Sequence, residues 1–292
     1  MYCRSERPEW DQEGRDWPNR DASRFVTVQG ARWHVQDMGA GPVVVLVHGV
    51  GAATHSWRDL APLLAERFRV IAMDLPGHGF SDPVPVFRMT LPAMAEGITG
   101  LLQALGAEPE VAVGHSAGAA ILARMCLDGR IQPKLLVSLN GAFVPYGGPL
   151  GPIASPLAKL LFLNPLAPRL FAWQTDFRAA ERLIGGTGST LPREGIELYA
   201  RLARRPGHFG AALGMMASWN LHGLEDELPL LEAKLALVVG AADSAVDPKE
   251  AERIHRAVPG SRLERLEGLG HLAHEEDPAR VAAMVAELWS TV

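Results

Sequence analysis

The residues best equipped for covalent chemistry lie in one short run, Gly114-His115-Ser116-Ala117-Gly118. A serine hydroxyl is a weak nucleophile until a base takes its proton. The apolar stretch Val111-Ala112-Val113 leads into the run. A small-residue stretch from Ala117 to Asp128 follows it and reads as a helix, with Gly129 as its stop. Strand, sharp turn and helix form the context in which G-x-S-x-G lifts its serine clear of the backbone, within reach of a base and a substrate. Gly114 and Gly118 leave room for the turn, and the Ala117 amide, opening the helix, can donate to an oxyanion. The alternative is a plain strand-to-helix turn whose serine caps the helix. The flanking pattern favours a nucleophile.

Such a serine needs a base and an acid to orient the base. Two acids compete after the apolar run Leu235 to Val239. Asp247 precedes Pro248, with Glu250 three residues on, which reads as a helix N-cap with a capping-box partner. Asp243 has no such local task and is the candidate acid. His271, in the glycine-rich loop Gly268-Leu269-Gly270-His271, is the candidate base, with His274 as its competitor nearer the next helix. Ser116, Asp243 and His271 follow one another in the order nucleophile, acid, base, the chain order of the α/β-hydrolases. The Val50 amide, in His48-Gly49-Val50-Gly51, is assigned as the second oxyanion donor beside Ala117, with Gly51 as the alternative. His48 reads chiefly as a residue that holds its loop, and it joins Met215, Met216 and Trp219 as candidate substrate-binding residues. Asp74 and His78 resemble a catalytic pair on paper, but loop fixing is the preferred reading.

These residues require a scaffold that brings distant loops together. The runs Val43 to Val47, Val70 to Met73, Val111 to Val113, Leu135 to Leu139 and Leu235 to Val239 are apolar throughout, as strands buried on both faces of a parallel sheet must be. Helical patterns alternate with them, at about Trp57 to Arg67 and from near Pro92. In the second, Ile98, Leu101, Leu102 and Leu105 make an inward stripe. The fold class is therefore α/β, a doubly wound, mostly parallel sheet, which binds ligands beyond the carboxyl ends of its strands. Phe25 to Val28 and Trp33 to Asp37 read as a hairpin, Ser261 to Leu266 as a last strand, and Asp277-Pro278 as the start of a final helix. Residues 142–228 break the rhythm and read as an inserted helical cap of short pieces, with a clearer helix from His208 to Leu221. The division is a polar arm over 1–22, a core over 23–141 and 229–292, and the cap between its two parts. The arm is expected to lie on the surface or to be partly disordered.

Composition narrows the function. The 292 residues carry a net charge of −5 with no basic patch, which argues against nucleic acid as a partner. Two cysteines, Cys3 and Cys126, suit a reducing, cytoplasmic compartment rather than a disulfide framework. No apolar run reaches the length of a transmembrane helix. Neither cysteine nor the scattered histidines has metal-ligand spacing, and no cofactor is expected.

The residues His48-Gly49, Asp74-Leu75-Pro76-Gly77-His78-Gly79, Gly114 to Gly118, Asp243, and Gly270-His271 with Glu276 and Pro278 resemble the α/β-hydrolase fold superfamily over about residues 24 to 290. Dehalogenases and epoxide hydrolases of that superfamily use an aspartate nucleophile. Ser116 implies ester, thioester, amide or carbon–carbon hydrolysis instead. A narrower likeness is carried by Asp16 to Arg20, Ala22 to Phe25, Arg32 to Gln36, Thr54 to Leu60, Gly114 to Leu122, Leu139 to Ala142 and Gly270 to Glu276. These stretches resemble hydrolase-like proteins of bacteriochlorophyll biosynthesis clusters, described as magnesium chelatase accessory proteins. That resemblance implies a role in pigment synthesis, an apolar and possibly tetrapyrrole ligand such as a porphyrin, and magnesium chelatase subunits as partners. Two roles fit it: cleavage of an ester-like bond, or non-catalytic porphyrin binding.

Overall fold

The computed structural model describes residues 6–144, 164 and 166–292. Its strands are β1 (Ser23–Val28), β2 (Ala31–Met38), β3 (Val43–Val47), β4 (Arg69–Met73), β5 (Pro109–His115), β6 (Leu135–Leu139), β7 (Lys234–Gly240) and β8 (Arg262–Leu266). They form one sheet in the order β1-β2-β4-β3-β5-β6-β7-β8. The β1–β2 and β2–β4 pairs are antiparallel, and every later pair is parallel. Side chains alternate across a strand, so the Val43–Val47 run serves two cores. Val45 and Val47 pack with Ile98 and Leu122 on one face, while Val44 and Leu46 pack with Trp57, Leu60 and Val281 on the other. The helices Leu91–Ala104 and Ala117–Leu127 cover the first face, and Leu60–Ala65 and Pro278–Trp289 the second. The sheet is the α/β architecture that the apolar runs predict.

Some details differ from the sequence reading. The helix expected from Trp57 is a 3-10 turn at Thr54–Trp57 followed by a shorter helix at Leu60–Ala65. The Asp74 carboxylate takes the Thr54 amide at 2.7 Å and so anchors the turn further upstream. The arm is docked rather than loose. Trp17 is only 2% exposed, and its indole N–H donates to Thr54 Oγ1 at 3.0 Å. Trp10 packs edge-on against Phe25 and Phe80. Glu13 pairs with Arg205, and Asp16 with Arg201 at 2.7 Å. Two large aromatics and a complementary set of acids outweigh the arm's polar composition.

Between β6 and β7 the described residues form helices at Ala167–Gln174, Phe177–Gly185, Arg193–Ala203, Pro206–Ser218 and Leu224–Glu227. Cys3 and the leucine- and proline-rich stretch at 145–163 and 165, read above as short helices, lie outside the described residues. Cys126 is a free thiol whose pKa burial pushes up to about 12. No described helix is long and apolar enough to cross a membrane.

Candidate active site

β5 ends at His115 and the next helix begins at Ala117, so the chain reverses at Ser116. Ser116 adopts φ 51° and ψ −119°, a conformation that residues with a Cβ rarely enter. Neighbouring bonds hold it there. Its amide donates to the Leu139 carbonyl at 3.0 Å, and its carbonyl accepts from Ala119 and Ala142 at 3.1 Å each. Gly118 is required by close packing, since a Cβ there would lie 2.0 Å from the Val47 carbonyl. The Ser116 side chain has no hydrogen-bond partner among the described residues. Catalytic hydrogen bonds often close only around a substrate.

The candidate acid and base, Asp243 and His271, follow β7 and β8. His271 Nδ1 lies 2.8 Å from Asp243 Oδ2. The same oxygen accepts from Asn140 Nδ2 at 2.7 Å, and Oδ1 accepts from the Ala245 and Val246 amides at 2.8 and 3.0 Å. The carboxylate is thus fully engaged, which orients it toward the imidazole. His271 is also fixed through its backbone. Its amide donates to the Thr187 carbonyl at 3.3 Å, and its carbonyl accepts from His115 Nε2 at 3.0 Å. The His271 ring stands 4.7 Å from the His115 ring, next in chain to Ser116. Asp247 instead caps the helix Pro248–Ala257, accepting from the Lys249 amide at 3.0 Å. His274 is buried and bonds Ser56 Oγ at 2.9 Å.

The amides of Val50 and Ala117 have no hydrogen-bond partner among the described residues and are free to donate. His48 is fully buried: its Nδ1 donates to the Gly49 carbonyl at 2.7 Å and its Nε2 accepts from the Leu75 amide at 2.9 Å. With both nitrogens committed, it ties the Gly49–Gly51 loop to the Asp74 loop and presents no surface to a ligand. Asp74 pairs with His34 at 2.8 Å rather than with His78, and also takes the Thr54 and Phe80 amides. Burial would raise its pKa, but His34 and these donors hold it well below the usual carboxylate range. Met215 and Phe143 are buried in one cluster with Val50 and Trp219 at its edge, while Met216 is half-buried. Among the described residues no cluster of His, Cys, Asp and Glu is arranged to hold a metal ion. A cavity of about 250 Å³ under the arm is lined by Trp10, Phe25, Arg32 and Phe80, and none of Ser116, Asp243 and His271 borders it.

Sequence reasoning did not single out Asn140, His115 or Thr187 as parts of this assembly. Asn140 did carry a signal, since it follows β6 at the sheet edge where ligands bind.

A strand-order-reversing parallel sheet, a serine on a strained elbow and an Asp–His pair on the loops after β7 and β8 define a hydrolase-type scaffold. The chain belongs to the alpha/beta hydrolase family, whose model matches residues 44–284. It is 36% identical to the magnesium-chelatase 30 kDa subunit of Rhodobacter capsulatus over 278 residues, 93% of this chain and 96% of that protein. Among solved structures it resembles an alpha/beta hydrolase fold protein from Burkholderia ambifaria, with a TM-score of 0.76, 23% identity, and 91% of this chain and 98% of that one covered. It also resembles a thermophilic esterase from Thermogutta terrifontis, with a TM-score of 0.73, 25% identity, and 92% and 98% covered.

Proposed function

We propose that the chain is a serine hydrolase that cleaves an ester-like bond in an apolar, tetrapyrrole-type substrate of bacteriochlorophyll synthesis. The observation that carries this reading is the 2.8 Å Asp243–His271 pair, held by Asn140, in a chain whose Ser116 sits on a strained elbow. In this reaction Ser116 Oγ attacks the acyl carbon while His271 Nε2 takes its proton. The amides of Val50 and Ala117 stabilise the oxyanion of the tetrahedral intermediate. That intermediate collapses to an acyl-serine, and His271 returns the proton to the departing alcohol. Water, deprotonated by His271, then releases the acid and restores Ser116. Asp243 keeps the imidazole in one tautomer and steadies the imidazolium. Val50 and Trp219, half-buried at the edge of the apolar cluster, support a substrate with an apolar body, whereas Met215 is fully buried in the core and offers a ligand no surface. The pigment assignment draws on the likeness to the magnesium-chelatase 30 kDa subunit.

That likeness also favours a second reading, a non-catalytic porphyrin-binding partner of magnesium chelatase. One titration separates the two. Purified protein is mixed with protoporphyrin IX or its magnesium monomethyl ester, wild type beside Ser116→Ala, with binding followed by fluorescence and products by chromatography. The hydrolase reading expects ester cleavage and fluorophosphonate labelling in the wild type, both lost in Ser116→Ala while binding persists. Tight binding without product in either protein selects the accessory role.

A further inference from the structure

One side chain of the inserted helices reaches into the loop that carries the Val50 amide. His208, in the first turn of Pro206–Ser218, is 3% exposed. Its Nε2 donates to the Gly51 carbonyl at 3.0 Å, and its Nδ1 accepts from the Gly79 amide at 3.0 Å. The two bonds require the neutral ring with its proton on Nε2. Burial enforces the same state, holding the His208 pKa down to about 4.

The geometry matters because of what Gly51 is. It sits at φ +77° with no heavy atom near the place a Cβ would occupy, so its own backbone and packing do not fix it. The peptide joining Gly51 to Ala52 is instead pinned from outside. His208 takes the carbonyl, and the Ala52 amide donates to the Gly49 carbonyl at 3.3 Å. Once that peptide is fixed, the two preceding amides, Val50 and Gly51, are restrained as well, and neither has a partner among the described residues. The other anchor, Gly79, belongs to a loop already held by Asp74 through the Phe80 amide at 2.8 Å. His208 therefore links the insertion, the Asp74 loop and the Val50 loop at one buried point.

We propose that His208 is a positioning residue for the oxyanion hole, holding the Gly51 carbonyl so that the Val50 amide is aimed at the oxyanion formed on Ser116. The proposal rests on the serine-hydrolase reading and adds that docking of the inserted helices sets the competence of the hole. A histidine that merely fastens a helix to the core would affect stability, and would not alter the ratio of kcat to KM.

The test uses two conservative variants of the full chain. Glutamine can place an amide N–H where Nε2 stands, and so keeps the bond to Gly51. Asparagine reaches only as far as Nδ1, and keeps the bond to Gly79 alone. Hydrogen exchange of the 48–54 segment, fluorophosphonate labelling at Ser116 and hydrolysis of p-nitrophenyl butyrate are followed for wild type, His208→Asn and His208→Gln. The expected result is faster exchange in His208→Asn, with labelling and kcat down about 100-fold and KM within about twofold of wild type. His208→Gln stays near wild type in all three. Equal behaviour of the two variants, or unchanged exchange and labelling in His208→Asn, overturns the role of His208. A wild-type chain that the phosphonate does not label at Ser116 overturns the hydrolase reading itself, and this proposal with it.

Discussion

Ser116 and Asn140 share an unusual property: both are non-glycine residues at positive φ, 51° and 48°. Each such residue costs about 1–3 kcal/mol and persists only where its surroundings over-determine it. Here the two are coupled, since Ser116 donates its amide to Leu139, the neighbour of Asn140, and Asn140 donates its side chain to Asp243. The elbow at Ser116 and the strand end that holds Asp243 are one construction. Asp243→Asn keeps the shape of that site but offers His271 an amide in place of a carboxylate. For the proposed reaction kcat is expected to fall about 10⁴-fold with KM little changed, measured by steady-state ester hydrolysis. Asn140→Ala removes one charge-assisted bond and is expected to cost about 10- to 100-fold in kcat. Ser116, Asp243 and His271 could be picked out because each sits in a local pattern of turn glycines after a strand. Asn140 offered only its place after β6 and His115 offered nothing, because the partners of their side chains lie 103 and 156 residues away.

At the level of elements, short loops between the inserted helices stitch the loops of Asp243 and His271 together. The Thr187 carbonyl accepts from the Ser244 and His271 amides, and Ser189 Oγ accepts from the Leu272 amide at 2.8 Å. Beside this stitch lies a buried polar cluster. Ser56 Oγ donates to Glu275 Oε1 at 2.6 Å, the Tyr199 hydroxyl donates to the same oxygen at 2.6 Å, and Arg58 pairs with Oε2. Burial raises the Glu275 pKa, and Arg58 with the two hydroxyls opposes that rise. Glu275→Ala would leave the Arg58 guanidinium, whose side chain is 8% exposed, with only the half-exposed Asp59 carboxylate at 3.1 Å and the His55 carbonyl at 3.2 Å. The expected loss is about 1–3 kcal/mol in urea unfolding, whereas replacing Arg58 and Glu275 together by apolar residues is expected to be milder. A loss no larger for the single than for the double variant would contradict this account. Strand and helix positions were readable from periodicity along the chain. The stitch was not, because Thr187 contributes a backbone carbonyl, which every residue possesses.

For the whole molecule the decisive charge property is the number of histidines that burial keeps neutral. His48, His55, His78, His115, His208 and His274 all have pKa values pushed below the ordinary 6.5, His208 to about 4 and His274 to about 3. Around His208 the rings of His48, His55 and His78 and the Asp74 carboxylate are the titratable groups close at hand, and of these Asp74 alone favours protonation. Below pH 6.5 the unfolded chain binds protons that the native chain refuses, so stability falls as pH drops from 6.5 toward those lowered values. His208 alone accounts for at most about 3 kcal/mol between pH 6.5 and 4. Asp74 acts the same way in a lower window, its contribution fading once pH falls below 3.8. Melting temperature is expected to be level from pH 8 to 7 and to drop steeply below 6.5, with a shallower drop in His208→Gln. A profile flat down to pH 5 would refute it.

The arm has a consequence for the order in which the protein can be built. Glu13 finds its partner in Arg205, 192 residues later, and Asp16 in Arg201, 185 residues later. During synthesis from the amino end, at about 5–20 residues per second, the arm waits on the order of 10–40 seconds for its ionic partners to emerge. Trp17 lacks its neighbours Leu198 and Leu202 for most of that interval. The arm thus completes its contacts late, and a nascent chain halted before Arg201 leaves Glu13 and Asp16 without these partners.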